Sequence, residues 1–315
     1  MTARGFRTQT LLIALVLLLG SVQPAVAEYR ITAVLSSRLQ PYVEALQGFR
    51  DTLSAAVPVH GPKSITYAEI TEYVLAEEPS RTSLRRKILT DRPDLLLAVG
   101  TNALAFLRNK NTDIPTVYLM VPYPAGIVNG RTNITGVNLQ ISPDRQLAAL
   151  LAAAPDLKNF GLIYDPIRSG PMLKEIEAAA RQKNITLIAW QARTSSEIDR
   201  LLDEMIGRID CFWMLPDLTV VTPQTVELIL LFSLEHSIPL FSFSSKYLTR
   251  GAAFAVTFDN YDLGRSGAEM AMKILSGHAI KAVPPIEPQR IRLQTNDNVI
   301  KKLGIPMSIN QGNTP

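Results

Sequence analysis

Short apolar runs alternate with amphipathic stretches through almost the whole chain. Apolar runs rich in β-branched and aromatic residues are typical of strands, whereas apolar residues recurring at helical spacing are typical of helices. In the first half, the pattern predicts strands at 29–36, 64–70, 95–100 and 116–120. It predicts the intervening helices at 41–54, 83–90 and 102–109.

The second half repeats the same rhythm, after a break near residues 121–132. Its predicted strands lie at 133–139, 160–165, 185–190, 211–215 and 239–243. Its predicted helices lie at 143–154, 171–183, 195–206 and 223–236. Strands that alternate with helices build parallel, doubly wound sheets, so the sequence predicts an α/β protein with two lobes.

The tail adds a strand, AAFAVTF at 252–258, and a helix after the second unit is complete. Chain that continues past a finished unit can cross back to the first one, so we expect this strand and helix to rejoin lobe one. The proline-rich stretch 283–289 would then return the chain to lobe two. Three crossings would form a three-strand hinge beside a cleft at the carboxyl ends of the strands.

These crossings set the expected lobe boundaries. We expect residues 28–122 with 252–282 to form lobe one, and residues 123–251 with 283–315 to form lobe two.

The amino terminus has the three parts of a secretory signal peptide. Arg4 and Arg7 precede the apolar run LLIALVLLLG, and the small residues AVA end the segment at Ala27. This order predicts a signal peptide over 1–27, with a mature protein that begins at Glu28 and is soluble in the periplasm. An uncleaved membrane anchor stays open as the alternative.

Charge and cysteine content narrow the possible partners. The 315 residues carry a formal net charge of +4, and no basic tract with interleaved aromatic residues occurs. Nucleic acid is therefore not an expected partner. Cys211 is the only cysteine, which excludes an internal disulfide, and its apolar setting CFWML predicts a buried side chain rather than a nucleophile.

The sequence contains none of the common enzyme motifs. It has no phosphate-binding loop, no dinucleotide-binding glycine pattern and no nucleophile elbow. The histidines at 60, 236 and 278 are far apart in sequence and have no neighbouring ligands at metal-site spacing. We therefore expect no catalysis, no cofactor and no metal, and a ligand-binding cleft instead. An exported enzyme stays open, because Asp165 and Asp217 follow strands where catalytic carboxylates often lie.

Several segments together resemble one protein family. They include NITGVN, LAAAPDLKNFGLIYDP, RPDLLLAVGTNAL, IPTVYLMVPYP, IPLFSF and RGAAFAVTFDNYDLGRSGAEMAMKILSG. In this order they resemble the substrate-binding proteins of ABC transporters, among them the tryptophan- and tyrosine-binding members. The resemblance implies a type I periplasmic-binding fold with three crossings, an export signal, and delivery of a small-molecule ligand to a membrane permease with its ATPase.

The strand LLLAV runs into Gly100, Thr101 and Asn102, where a helix begins. A glycine lets the backbone pass close to a ligand, and a helix amino terminus offers free N–H groups to an anion such as a carboxylate. Within the family resemblance, Thr101 is the best match, because relatives have a threonine at this strand end. The alternative is that Thr101 or Asn102 only caps the helix.

Other candidate ligand-binding residues lie at strand ends, although each could be a solvated loop residue. Ser36 and Ser37 follow the first strand, on the same edge as Gly100. The resemblance implies roles for Tyr123, where relatives have an aspartate, and for Tyr164, Asp165 and Asp217.

These positions change the charges that would face a ligand's amino group, so the identity of the ligand stays open. We expect the ligand to bridge Thr101 in one lobe and Asp165 or Asp217 in the other, and to favour a closed state. The same cleft could instead report to a receptor of a signalling system.

Overall fold

The computed structural model describes residues 27–55, 65–108 and 113–308. The expected signal segment lies outside these ranges, apart from its last residue. Within them, the strands form two separate sheets, one of five strands and one of six. The predicted two-lobed α/β architecture with doubly wound parallel sheets is confirmed.

The sheet of lobe one is entirely parallel, with strand order β2-β1-β3-β4-β5. Its strands are β1 (Ala27–Leu35), β2 (Ile65–Val74), β3 (Leu95–Val99), β4 (Thr116–Val121) and β5 (Ile134–Asn138). Every side chain of β3 and β4 is buried, because helices cover both faces of a parallel sheet. This explains why the two strands read as continuous apolar runs.

The sheet of lobe two has the order β11-β10-β9-β8-β6-β7. Its strands are β6 (Asn159–Tyr164), β7 (Thr186–Gln191), β8 (Cys211–Met214), β9 (Leu240–Ser242), β10 (Phe254–Phe258) and β11 (Ile291–Thr295). All neighbours are parallel except β11, which pairs with β10 in the antiparallel direction.

Ten α-helices occur in the described ranges. They are α1 (Gln40–Ala55), α2 (Arg81–Asp91), α3 (Thr101–Leu107), α4 (Ala125–Val128), α5 (Pro143–Ala153), α6 (Gly170–Gln182), α7 (Ile198–Asp203), α8 (Pro223–Glu235), α9 (Asn260–Leu275) and α10 (Asp297–Leu303). None of them has both the length and the apolar character that a membrane span would require.

Two strands lie in the other lobe from the one expected. The tail strand β10 pairs with β9 in lobe two and does not rejoin lobe one. It follows β9 after a 3₁₀ turn at Ser245–Arg250, so the adjacent open edge of that sheet is its nearest partner. Conversely, β5 was expected in lobe two but pairs with β4 in lobe one, since consecutive strands with a short connection tend to be neighbours.

Only helix α9 returns to lobe one, where it packs against α1. A Cβ atom on Gly264 would collide with the backbone carbonyl of Ala45, so the absence of a side chain permits this close approach. At the helix start, the side-chain amide of Asn260 donates to Glu44 at 2.9 Å, and the Tyr261 hydroxyl donates to Asp51 at 3.0 Å. Helix α9 is thus an integral layer of lobe one.

The chain crosses between the lobes three times, as expected, but at shifted positions. The first crossing follows β5 at 139–142, the second is at Asp259 between β10 and α9, and the third occupies 286–290 before β11. The third is anchored to the first lobe by backbone bonds, including one from the Asn138 amide to the Ile286 carbonyl at 2.8 Å. Arg145 of lobe two donates to the carbonyl of Gln289 at 2.9 Å. The two lobes are therefore joined by three short connecting segments.

Candidate ligand-binding site

A cavity of about 510 Å³ lies between the lobes, at the carboxyl ends of their strands. Lobe one and the crossings contribute neutral residues, which are Pro122, Tyr123, Leu139, Gln140, Ile141 and Asn260. Parallel α/β sheets bind ligands at this edge, so the cavity has the position that the fold predicts for a binding site.

The lobe-two side of the cavity is largely apolar; we call it the apolar wall. It is formed chiefly by Met172, Ile176, Trp213, Leu215, Phe243 and Val256. Trp213 is 1% exposed and stacks on Phe241, with 5.8 Å between the ring centroids. Trp213 is therefore a buried strand residue whose ring also lines the cavity.

Neutral polar groups complete the lobe-two side, namely Gln146, Ser244, Ser245 and Thr257. Among the described residues that line the cavity, none carries a formal charge. The cavity can therefore offer apolar contact, amide and hydroxyl groups, but no ion-pair partner from its own lining.

The turn from β3 into α3 presents small polar groups on the lobe-one edge. Gly100 precedes the helix with a φ of +92°, which favours glycine. A Cβ atom there would also lie 2.6 Å from the Ser36 hydroxyl oxygen and 2.9 Å from the Tyr42 ring. Thr101 and Asn102 are the first residues of α3, and both side chains are exposed.

Ser36 provides the side-chain cap of α3. Its hydroxyl oxygen accepts a hydrogen bond from the Ala103 amide at 2.9 Å, which satisfies one of the free donors of the helix start. Neither Thr101 nor Asn102 makes a capping bond, so the alternative that they serve only as caps is wrong. Their proposed contact with a ligand stays a prediction.

Asp165 and Asp217 are brought together, but their carboxylates bond to the loops of lobe two. Asp217 is 1% exposed and accepts from the Asp165 amide at 2.8 Å and the Ser169 hydroxyl at 2.5 Å. Its other oxygen accepts from the Thr219 amide at 2.8 Å. These bonds join the loop after β6 to the loop after β8, and we call the group the carboxylate clasp.

Asp165 is bonded in the same way. It accepts from the Thr219 hydroxyl at 2.6 Å and from the Ile167 amide at 2.8 Å, while Arg168 lies 3.6 Å away. The Thr219 hydrogen bond, followed by the Ile167 hydrogen bond, lowers the pKa of Asp165 from its usual value. The clasp therefore favours the ionised carboxylate.

The remaining predicted residues differ in whether they line the cavity. Tyr123 is 67% exposed and is the only one of the nine predicted positions on the cavity lining. Tyr164 packs in the apolar core of lobe two, and Ser37 is half-buried after β1. The apolar wall was not predicted from the sequence. The sequence pattern that could have revealed this wall is the apolar residues that directly follow β8 and β9, together with those at the start of α6.

Other features of the described residues bear on the predictions about chemistry. Cys211 is fully buried, and burial raises the pKa of its thiol well above the usual value, as expected for a structural cysteine. In the described ranges, no group of three or more histidine, cysteine or acidic side chains is arranged to hold a metal ion.

The family described as "ABC transporter substrate binding protein" matches residues 43–310. A tyrosine-binding protein of Clostridioides difficile is 24% identical over 233 residues, which cover 71% of this chain and 67% of the relative.

Two solved structures show the same fold. A ligand-free, open substrate-binding protein with adhesive properties from Clostridium difficile has a TM-score of 0.71 at 22% identity, covering 90% of this chain and 97% of the other. An ABC domain from Streptococcus pneumonia in complex with L-Trp has a TM-score of 0.53 at 18% identity, covering 90% and 97%. At these identities the likeness establishes the fold alone.

Proposed function

Because this chain belongs to the ABC transporter substrate-binding protein family, we propose that it captures a small ligand for an ABC importer by closing its lobes. The observation that carries the proposal is the cavity between the lobes, at the carboxyl ends of both sheets. Three short crossings join the lobes, and such connections can absorb a hinge rotation. A ligand that contacts both lobes favours the closed state, because it makes more contacts there.

The family also supports the proposed partners and location. We propose that the closed, loaded protein docks on a membrane permease that works with an ATPase. The amino-terminal pattern ending at Ala27 supports export to the periplasm, where such a protein would meet its solute. The proposal assigns no chemical step to the chain, in keeping with a family defined by substrate binding.

The lobe-one edge supports a polar or carboxylate group at one end of the ligand. Thr101 and Asn102 are exposed at the start of α3, and Ser36 occupies only the Ala103 amide. A ligand oxygen placed there would meet the Thr101 hydroxyl and the remaining N–H groups. We propose that Thr101 donates to that oxygen when the lobes close.

The proposal is tested by identifying a ligand and measuring closure. Protein purified from its native compartment without denaturation should show, by native mass spectrometry, an added mass of one small molecule. Small-angle X-ray scattering of the stripped protein should then give a smaller radius of gyration after that molecule is returned. Cells that lack the protein should lose uptake of the same molecule.

The controls separate binding from closure. A structurally unrelated solute at the same concentration should leave the radius of gyration unchanged. Bound ligand without contraction would contradict capture by closure. Contraction with unchanged uptake in the deletion strain would assign the protein to sensing rather than import.

A further inference from the structure

We infer that the ligand presents an uncharged, apolar body to lobe two and carries no cationic group on that side. The inference rests on the proposed function, since it names the ligand class of the same cleft. It would distinguish this protein from one that binds a free α-amino acid with its ammonium group against lobe two.

The apolar wall is the first observation that carries this inference. Trp213, Phe243 and Met172 face the cavity from three different elements, β8, the end of β9 and α6. The ring of Trp213 is fixed between Phe241 on its face and Phe160 at its edge, so the aromatic surface is rigid. Trp213 is itself almost fully buried, so the apolar surface that water still reaches is provided by the half-buried Met172 and Phe243. A flat or branched apolar group would gain free energy by removing that surface from water.

The second observation is that, among the described residues, no carboxylate lines the cavity. A buried ammonium group needs a carboxylate or several acceptors, because an unpaired buried charge is costly. Asp165 follows β6 and Asp217 follows β8, and both are bonded within the carboxylate clasp. Asp259 follows β10, caps α9 through the Tyr261 amide and lies 4.0 Å from Arg292. Glu287, in the third crossing, accepts from the Ser142 amide.

The size and the rim of the cavity define the ligand class further. A cavity of about 510 Å³ lies within the range typical of small-molecule sites. Its polar lining consists of neutral amides and hydroxyls, such as Gln140, Gln146 and Ser244, which bind neutral oxygen and nitrogen atoms. The geometry therefore favours an aromatic or branched ligand that is neutral, or anionic only at its lobe-one end.

Four compounds with one shared apolar body test the inference. They are 3-phenylpropionamide, 3-phenylpropionate, L-phenylalanine and phenethylamine, which differ in the charge at one end. Titration calorimetry on the stripped protein should show that the amide or the propionate binds at least about tenfold more tightly than phenylalanine and phenethylamine. Tighter binding of either ammonium compound, or binding of none of the four, would overturn the inference.

A charge placed in the apolar wall should reverse the preference. Met172→Glu puts a carboxylate in the first turn of α6, where the helix dipole favours an acidic side chain, so folding should be retained. The variant should bind phenethylamine at least about tenfold more tightly than the parent protein does. Lys174→Glu, on the same helix but exposed and off the cavity lining, should leave the order of the four affinities unchanged.

Scattering on the same samples separates this inference from the proposed function. A protein that prefers the amide but does not contract supports the apolar wall and contradicts capture by closure. Contraction of the protein on binding phenethylamine would overturn the inference about the ligand class, but it would still support capture by closure. Circular dichroism would show whether Met172→Glu is unfolded. In that case the four affinities of the parent protein alone would test the inference.

Discussion

The two lobes share one architecture but differ in what they place at the carboxyl edge of their sheets. In lobe one, β1 and β3 end in small or polar residues, with Ser36 after β1 and Gly100 and Thr101 after β3. In lobe two, β8 and β9 are followed by Leu215 and Phe243 on the cavity lining. The fold therefore determines where a ligand can bind, whereas the residues after each strand determine which part of the ligand each lobe can contact.

The acidic residues of lobe two also show that the position of a residue at the sheet edge does not determine whether it contacts a ligand. In lobe two, carboxylates follow β6 and β8 at a position where charged ligand groups are often bound. Both are engaged in the carboxylate clasp, so their role in the described structure is to join two loops. Acidic residues at a binding edge can thus serve the scaffold, and only their hydrogen-bond partners reveal this.

The largest expected effect comes from breaking the clasp. Asp217→Ala would leave the Asp165 and Thr219 amides and the Ser169 hydroxyl without their acceptor in a buried site. We expect a loss of about 3 kcal/mol or more in the free energy of unfolding, measured by urea denaturation. The exposed Asp199 provides the control, whose replacement by alanine should change stability by about 0.5 kcal/mol or less.

The ligand affinity of the folded Asp217→Ala protein tests whether Asp217 serves the scaffold or contacts the ligand. A scaffold role predicts an affinity close to that of the parent protein. A large loss of affinity at unchanged stability would show instead that Asp217 contacts the ligand.

The next largest effect is expected at the glycine of the lobe-one edge. Gly100→Ala combines a positive φ with a Cβ atom that meets the Ser36 hydroxyl and the Tyr42 ring. We expect a loss of about 2–4 kcal/mol by urea denaturation, the sum of backbone strain and overpacking. Gly130 also has a positive φ, +73°, but nothing lies near its Cβ position. An equal loss from Gly130→Ala would show that the contacts at Gly100 add nothing.

Thr101→Val tests whether the lobe-one edge binds the polar end of the ligand. The change removes the hydroxyl donor and keeps the side-chain shape. If Thr101 donates to a desolvated ligand oxygen, affinity should fall roughly five- to two-hundredfold by titration calorimetry with the co-purified ligand. Stability should change by about 0.5 kcal/mol or less, because Thr101 is exposed and makes no capping bond. Unchanged affinity would remove Thr101 from the site.

Ser36→Ala is the structural counterpart on the same edge. It removes the acceptor of the Ala103 amide at the start of α3. We expect a loss of about 1 kcal/mol in the free energy of unfolding. If stability is unchanged and affinity falls instead, then Ser36 acts on the ligand rather than on the helix.

The smallest effect is a pH dependence on the lobe-two edge. The Thr219 hydroxyl is the main cause of the lowered pKa of Asp165. A carboxyl group with a lowered pKa stabilises the fold above its unfolded pKa, and this stabilisation is lost as the pH falls through the folded value. Thr219→Val should therefore lower the urea midpoint at pH 7, with a gap that narrows below about pH 4. A gap that widens in acid would contradict this assignment.

The sequence predicted most elements because their signals are local. Continuous apolar runs identified β3 and β4, and Pro143 at the first position of α5 marked a helix start. The lobe assignment of β10 was wrong because it depends on which sheet edge is open, a property of the assembled fold. The prediction kept β10 and helix α9 in the same lobe, yet the chain crosses between the lobes at Asp259, which separates them.

The candidate site was less predictable for a related reason. The polar turn at Gly100 could be recognised from its sequence, since glycine and hydroxyl residues mark a helix start. The capping role of Ser36 could not, because its partner Ala103 is distant in sequence. In the same way, an aspartate such as Asp217 looks identical in sequence whether it faces a ligand or a neighbouring loop.

Helix α9 has a consequence for the order in which the protein can be built. Lobe one receives this layer from residues 260–275, so its core stays incomplete until most of the chain has emerged from the ribosome. Until then, one face of the first sheet, with Leu97 and Leu119, lacks its cover. Strands β10 and β11 of lobe two, which flank this helix in sequence, also come from the last quarter of the chain. Both lobes are thus completed late in synthesis, so neither can finish folding before most of the chain has been made.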